Sequence, residues 1–330
     1  MPPGPKMAGK RRVLIVGGGL AGLAAARELR GHFRVTVVDT KEYFEFTTGI
    51  MRAYVQPSHW DSLTFLYHEV LERNFGVGFM WGEVTAIDGA QKCAHVKTMF
   101  AKDGEEDVVQ YDFCLIAGGC NFNLYTPSGE SPWFPVVHNR WMDGQARRWD
   151  ERFLEGRRRR ILEEHNELQR LDDREANVLI VGAGFMAVEL ACELRHRFSR
   201  LKITLSDFLP RCLSPLSTVA AEYCEDYMRR NRIKTHYCLK YDPGSHAYWT
   251  ALGLPGKADK TYFLSGVSQS NYFMPVNTLS DKGPGRGGWI LTNRHLQVVI
   301  KLKDASVRPG KIAPGEQVVL NRGREPSDSP

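Results

Sequence analysis

The residues best placed to do chemistry are three glycines, Gly17-x-Gly19-x-x-Gly22, which follow the apolar run Val13-Leu14-Ile15-Val16. The first glycine permits a tight turn, and the second lets backbone amides approach a diphosphate. The third lets a following helix pack close to the preceding strand. With Gly18 inside the turn and Leu20 and Ala21 opening the helix, free N–H groups at the positive end of the helix dipole are positioned to hold that diphosphate. Asp39, at the end of the next apolar run, is placed to accept hydrogen bonds from an adenosine ribose. The pattern recurs as Gly182-x-Gly184-x-x-Ala187, with Asp207 as its acid. A carboxylate there accepts from the free 2′-hydroxyl of NADH and repels the 2′-phosphate of NADPH, so NAD(H) is favoured over NADP(H); Arg211 works against that preference. Glu189 lies near the start of the second helix, and two readings stay open for it. It complements the helix dipole, or it sits beside a nicotinamide.

The elements that must carry these residues are themselves repeated. Val13-Leu14-Ile15-Val16-Gly17 recurs letter for letter as Val178-Leu179-Ile180-Val181-Gly182, and Ala26-x-Glu28-Leu29-Arg30 recurs as Ala191-x-Glu193-Leu194-Arg195. Two copies at so long an offset indicate two related domains rather than a solenoid. Each copy reads as a strand buried on both faces, a glycine turn, a helix (20–30 and 185–198) and a second strand (34–39 and 202–207), a βαβ unit. Between the copies, alternating segments at 78–87, 93–100 and 107–117 predict a β-meander returning to a parallel strand at 113–116. Residues 149–173 predict a charged helix, and 262–266 and 288–299 short strands. Beyond 303, scattered prolines and glycines with mixed charge predict a disordered tail.

Composition narrows the class. A chain of 330 residues with 42% hydrophobic and 25% charged residues fits about two globular domains. The net charge of +6 resolves into +4 within residues 1–12 and +2 within 300–330, leaving a neutral body, so a nucleic-acid partner is not expected. The basic run 157–160 is followed by Glu163, Glu164 and Glu167 and reads as a solvated helix face. Seven cysteines, an odd number without CxxC spacing, indicate neither a zinc site nor a disulfide framework. No metal is expected, and reduced thiols point to a cytoplasmic location. The longest apolar stretch, 13–26, is too short to span a bilayer and has no convincing cleavage site, and no lipidation motif is present. Peripheral membrane contact stays open, and the oligomeric state is not readable.

Two glycine fingerprints with a meander between them resemble the pyridine-nucleotide–flavin oxidoreductases with two dinucleotide-binding domains. The likeness is to the type II NADH dehydrogenase and apoptosis-inducing-factor-like branch, which includes ferroptosis-suppressor-type proteins. It covers about residues 11–300 and rests further on Lys41-Glu42-Tyr43-Phe44-Glu45-Phe46-Thr47, Gly49-Ile50-Met51-Arg52-Ala53-Tyr54, Tyr111-Asp112-Phe113-Cys114-Leu115-Ile116-Ala117-Gly118-Gly119 and Gly288-Trp289-Ile290-Leu291-Thr292-Asn293. The resemblance implies an α/β fold of two Rossmann-like domains, the NAD domain inserted into the FAD domain. Its boundaries would be a basic flexible N-terminus at 1–10, an FAD-binding domain at 11–130 and 261–302, an NAD(P)H-binding domain at 131–260, and a tail at 303–330.

The same resemblance implies FAD on the first fingerprint, with Arg52 near the flavin, backbone at Val84 near the adenine, and Ala117 and Gly118 as a second approach to FAD. NAD(H) would lie on the second fingerprint, with Gly266 where the chain crosses back. Read without the resemblance, Arg52 is an ion-pair residue and Val84 an ordinary strand residue. Residues 40–60 hold no cysteine, which speaks against thiol–disulfide exchange. After Val299 nothing matches the Gly-Asp element whose aspartate binds the ribityl chain, so the expected FAD domain is incomplete. The implied activity is hydride transfer from NAD(P)H to flavin, with electrons passing on to a quinone, oxygen or another small acceptor. The alternative is a truncated, catalytically weak, NAD-responsive binding protein.

Overall fold

An unbroken run of β-branched and leucine residues buries both faces of a strand, which the middle of a parallel sheet allows. Strand β1 (Arg12–Val16) meets this condition: Val13, Leu14, Ile15 and Val16 are all buried, each contributing about 1.5–3 kcal/mol. The computed structural model describes residues 9–102, 105–121, 150–254, 256–264, 266, 268–283 and 287–301. The expected 303–330 tail and most of the N-terminal segment lie outside the described residues.

Helix α1 (Leu20–Leu29) leads from β1 to β2 (Arg34–Asp39), which lies parallel beside it. Strands β3 (Tyr43–Glu45) and β4 (Thr64–Leu66) then form a small antiparallel pair, with helix α2 (Ile50–Val55) between them in sequence. The first residues of β5 (Gly78–Asp88) run parallel to β2. Its remainder pairs antiparallel with β6 (Cys93–Thr98), and β6 pairs with β7 (Asp107–Gln110), which is the expected meander. Gly82 stands at the changeover, where a Cβ would lie 2.7 Å from the Lys97 carbonyl oxygen. Strand β8 (Phe113–Ile116) returns parallel to β1 and completes the order β7-β6-β5-β2-β1-β8.

The chain leaves through β9 (Cys120–Asn121), and α3 (Leu154–Asp173) leads into the second copy. There β10 (Asn177–Val181), α4 (Phe185–Arg197) and β11 (Lys202–Ser206) repeat the first unit. Helix α5 (Thr218–Arg230) precedes β12 (Lys234–His236), and α6 (His246–Ala251) precedes β13 (Lys260–Phe263). The sheet order is β12-β11-β10-β13, all parallel. Strand β14 (Ser268–Gln269) then pairs antiparallel with β9, so the exit and return strands run side by side.

The structure corrects four expectations. The charged helix starts at Leu154, not at 149. Its basic run is not a uniformly solvated face: Arg158 and Arg159 are exposed, but Arg157 is buried. The reason is helical phase, since Arg157 stands on the same stripe as the buried Ile161, Glu164, Leu168 and Leu171. Instead of regular strands, 288–299 makes isolated bridges, Leu279 to Ile290 and Thr292 to Val298. Finally, the expected boundary at 260/261 falls inside β13, which the second sheet needs beside β10 as the first needs β8 beside β1.

The largest apolar cluster does not respect the two copies. Ile50, Met51, Ala53, Tyr54 and Val55 of α2, with Trp60, share a core with Ile161 and Leu168 of α3, Val178 and Ile180 of β10, and Leu190 and Leu194 of α4.

Candidate functional site

At the first glycine loop the Gly17 N–H donates to the Val38 carbonyl (2.8 Å) and the Gly18 N–H to Asp39 Oδ2 (2.7 Å). Asp39 Oδ1 also accepts the Lys41 N–H at 2.9 Å. At the second loop the corresponding donors are Gly182 to the Ser206 carbonyl (2.8 Å), Ala183 to Asp207 Oδ2 (2.6 Å) and Leu209 to Asp207 Oδ1 (2.8 Å). The sequence repeat is therefore also a hydrogen-bond repeat, and each acid first of all fixes its own loop. Neither carboxylate is saturated, because two oxygens offer about four lone-pair positions.

Gly17 and Gly182 take φ of +100° and +119°, a conformation that favours glycine. A Cβ on Gly17 would lie 2.5 Å from the Ala117 carbonyl oxygen, and one on Gly22 only 1.9 Å from the Gly17 carbonyl oxygen. Ala187, buried at the position corresponding to Gly22, shows that the second helix stands off enough for a methyl. Gly19 and Gly184 are open, with nothing within 4 Å of a Cβ placed there. The amides of Gly19, Leu20 and Ala21 have no acceptor among the described residues. This free N–H cradle at a helix N-terminus fits a diphosphate on each loop.

Beyond the strands the repeat continues. The Ala117 N–H donates to the Val16 carbonyl (2.7 Å) as the Leu264 N–H does to the Val181 carbonyl (2.8 Å), and each is followed two residues later by a positive-φ glycine, Gly119 and Gly266. Gly118 approaches the return segment, a Cβ there lying 3.3 Å from the Ser270 carbonyl oxygen. Val84 is buried in β5 in the cluster that includes Val16 and Val38, the residues preceding Gly17 and Asp39.

Arg52 joins the two halves. Its Nε and Nη2 bind Glu193 Oε2 and Oε1, both at 2.7 Å, so α2 is tied to the helix of the second loop. Glu193 keeps the Arg52 guanidinium protonated, and Glu189, one turn earlier, adds to the effect. Partial desolvation and the neighbouring Glu193 push the Glu189 carboxyl up, with Arg52 opposing. Glu193 is not a residue the glycine pattern points to, though its i+4 spacing from Glu189 places both on one helix face.

A second residue outside the pattern is Tyr67. Its hydroxyl donates to the Gly18 carbonyl (2.9 Å), Asp39 Oδ2 lies 3.5 Å away, and its ring packs against Phe65 and Phe79. Arg211 points elsewhere than the sequence suggests: Nη2 donates to the carbonyls of Ser214 (3.1 Å) and Leu216 (2.8 Å). Among the described residues, no group of three or more histidines, cysteines or carboxylates is arranged to hold a metal.

Fold and site together define an α/β protein with two glycine-loop nucleotide folds joined through one shared core. The pyridine nucleotide-disulphide oxidoreductase model matches residues 11–240, and the chain belongs to that family. It is 26% identical over 198 residues to ferroptosis suppressor protein 1 of Taeniopygia guttata, covering 60% of this chain and 44% of the relative. It is 29% identical over 214 residues to the type II NADH:quinone oxidoreductase of Haemophilus influenzae, covering 56% and 45%. The chain thus spans about half the length or less of these relatives. Its fold matches that of NADH:rubredoxin oxidoreductase from Clostridium acetobutylicum, with a TM-score of 0.60 at 17% identity, covering 88% of this chain and 66% of the other.

Proposed function

We propose that the protein is an FAD-dependent oxidoreductase that takes a hydride from NAD(P)H and passes electrons to a quinone, oxygen or another small acceptor. The observation that carries this reading is the duplicate loop geometry, two open N–H cradles with the same acid contacts, tied together by Arg52 and Glu193. Bound together, the two cofactors supply the hydride donor and acceptor; the chain supplies binding, orientation and electrostatics. Gly19, Leu20 and Ala21 would present N–H groups to the FAD diphosphate and Asp39 would accept from its ribose. Val84 would back the adenine, and Ala117 and Gly118 would close the other side. The loop from Gly182 to Ala187, with Asp207 and Gly266, would hold the nicotinamide cofactor in the same way, and Arg52 and Glu189 would stand between the two. In this arrangement the NAD unit is inserted into the FAD unit, entered through β9 and left through β14.

NADH is the favoured donor. Asp207 presents a carboxylate where NADPH would carry a phosphate, and Arg211 gives its Nη2, though not its Nη1, to carbonyls of its own loop. The relatives named as quinone oxidoreductases support a quinone acceptor. No helix among the described residues is long and apolar enough to cross a membrane, and a cytoplasmic site with optional peripheral membrane contact is the location in keeping with this reading.

Anaerobic addition of NADH to the purified, flavin-loaded protein tests the function. Bleaching of the flavin absorbance, reversed by quinone or oxygen, is expected. Flavin that is bound yet stays oxidised would overturn the proposal, and colourless protein that binds only NADH would favour an NAD-responsive binding module.

A further inference from the structure

The two loops differ in what holds the carbonyl of their second residue. In the second loop the Ala183 carbonyl accepts a backbone N–H from Leu213 at 2.8 Å. In the first, the corresponding Gly18 carbonyl accepts the Tyr67 hydroxyl at 2.9 Å, from a side chain of a distant segment. A trans peptide sets its C=O and N–H on opposite sides. Holding the Gly18 oxygen on the Tyr67 side therefore turns the Gly19 N–H the other way, toward the open end of the loop. The same relation holds between Ala183 and Gly184, where a backbone donor does the holding.

We propose that Tyr67 is a positioning residue of the first loop: its hydroxyl orients the Gly18–Gly19 peptide for an anionic ligand, and its ring restricts position 18 to glycine. The ring restriction is read from the packing. A Cβ on Gly18 would lie 2.6 Å from Tyr67 Cζ and Oη, whereas the corresponding residue of the second loop is an alanine, buried in the shared core. Phe65 and Phe79 flank the ring, and the Tyr67 backbone N–H is anchored on the Glu42 carbonyl at 3.0 Å, so the side chain cannot retreat cheaply. Burial, and then the charge of Asp39, push the Tyr67 hydroxyl well above its ordinary value, which keeps the donor proton in place at neutral pH.

The inference rests on the reading that the first loop takes the FAD diphosphate, and the test separates the two. Flavin-stripped wild type and Tyr67→Phe are titrated with FAD by flavin fluorescence and with NADH by nucleotide fluorescence. The phenylalanine keeps the packing and loses only the hydroxyl. The FAD Kd is expected to rise about tenfold, the scale of one buried hydrogen bond left unmade, with the NADH Kd unchanged. Gly18→Ala should abolish FAD binding in the Tyr67 background and be partly tolerated alongside Tyr67→Leu, which removes the obstructing ring atoms. Wild type that binds NADH but not FAD would defeat the flavin reading and this inference with it. FAD binding by wild type with Tyr67→Phe within twofold of it would overturn the Tyr67 assignment alone. So would equal losses of FAD and NADH affinity, which mark general loosening, or a Gly18→Ala penalty independent of residue 67.

Discussion

Arg157→Met is expected to cost a large share of the stability at the junction of the two halves. It keeps an apolar stem of similar length and removes a guanidinium bound to Glu45 at 2.9 and 3.2 Å and to Glu151 at 2.7 Å. All three side chains are at most 3% exposed. Glu45 also accepts the Trp60 indole N–H at 3.0 Å, and the Tyr43 hydroxyl donates to the Glu151 carbonyl at 2.8 Å, so the cluster fixes β3 and Trp60 against the start of α3. Removing one partner of a buried ion pair costs about 3–5 kcal/mol, because the other charge stays buried without compensation. Here the guanidinium serves two buried carboxylates, which puts the expected loss near the upper end, about 5 kcal/mol. Against a typical total of about 5–15 kcal/mol that is a large share, and the urea midpoint should fall by about 1.5 M.

The pH dependence gives the sign a separate check. Burial pushes the Glu45 carboxyl up, but the charge and hydrogen bonds of Arg157 outweigh it, and the group lies below its ordinary value in the fold. Wild type therefore loses stability as pH falls through that depressed value. Without Arg157 the balance reverses, the stranded carboxyl takes a proton readily, and the deficit of the variant should narrow as pH is lowered from 8 to 5. Urea unfolding followed by far-UV circular dichroism, with Glu45→Gln alone and combined with Arg157→Met, measures both effects. A loss below about 1 kcal/mol at pH 7.5, or a deficit flat with pH, would refute the buried-pair account.

Three further outcomes are expected. Gly22→Ala forces a methyl to within 1.9 Å of the Gly17 carbonyl oxygen, so the flavin-to-protein ratio after purification should fall at least about tenfold; full flavin occupancy would show that the helix can stand off. Asp207→Ser removes the carboxylate that holds the Ala183 and Leu209 amides, and the NADH-to-NADPH affinity ratio should drop about tenfold or more, an unchanged ratio being the contrary result. Burial pushes the thiols of Cys192 and Cys212 up to about 11, while Cys238 is exposed. Iodoacetamide at pH 8 should therefore label Cys238 at least about ten times faster, and equal rates by mass spectrometry would contradict that ordering.

Much of the frame was legible because repetition and apolar runs are local signals. The glycine turns, both helices after them, the paired acids and the meander all lie within short windows, and the strands of the two βαβ units match their expected limits closely, whereas the strand expected at 262–266 lies at Lys260–Phe263. What was not legible depends on contacts made across long separations. Nothing near Tyr67 in the chain announces that it reaches Gly18, and Glu193 gains its meaning from Arg52 on another element. Arg157 misled because a run of four arginines carries an average polarity, whereas burial is decided by the phase of one residue on its helix. The strand expected within 288–299 failed for a related reason. A segment does not form a strand without a partner edge, and this one found only single bridges.

The core that α2 shares with α3, β10 and α4 has a consequence during synthesis. Residues 50–60 leave the ribosome while their packing partners, which extend to Leu264, have yet to be translated. At about 5–20 residues per second the delay is on the order of ten seconds or more. For that interval Ile50, Met51, Tyr54, Val55 and Trp60 have only Tyr43, Leu63 and Leu66 of their final core to cover them. A nascent chain stalled at Asn121 would therefore be a client for chaperones, even though every hydrogen-bond partner of its first glycine loop has already been made.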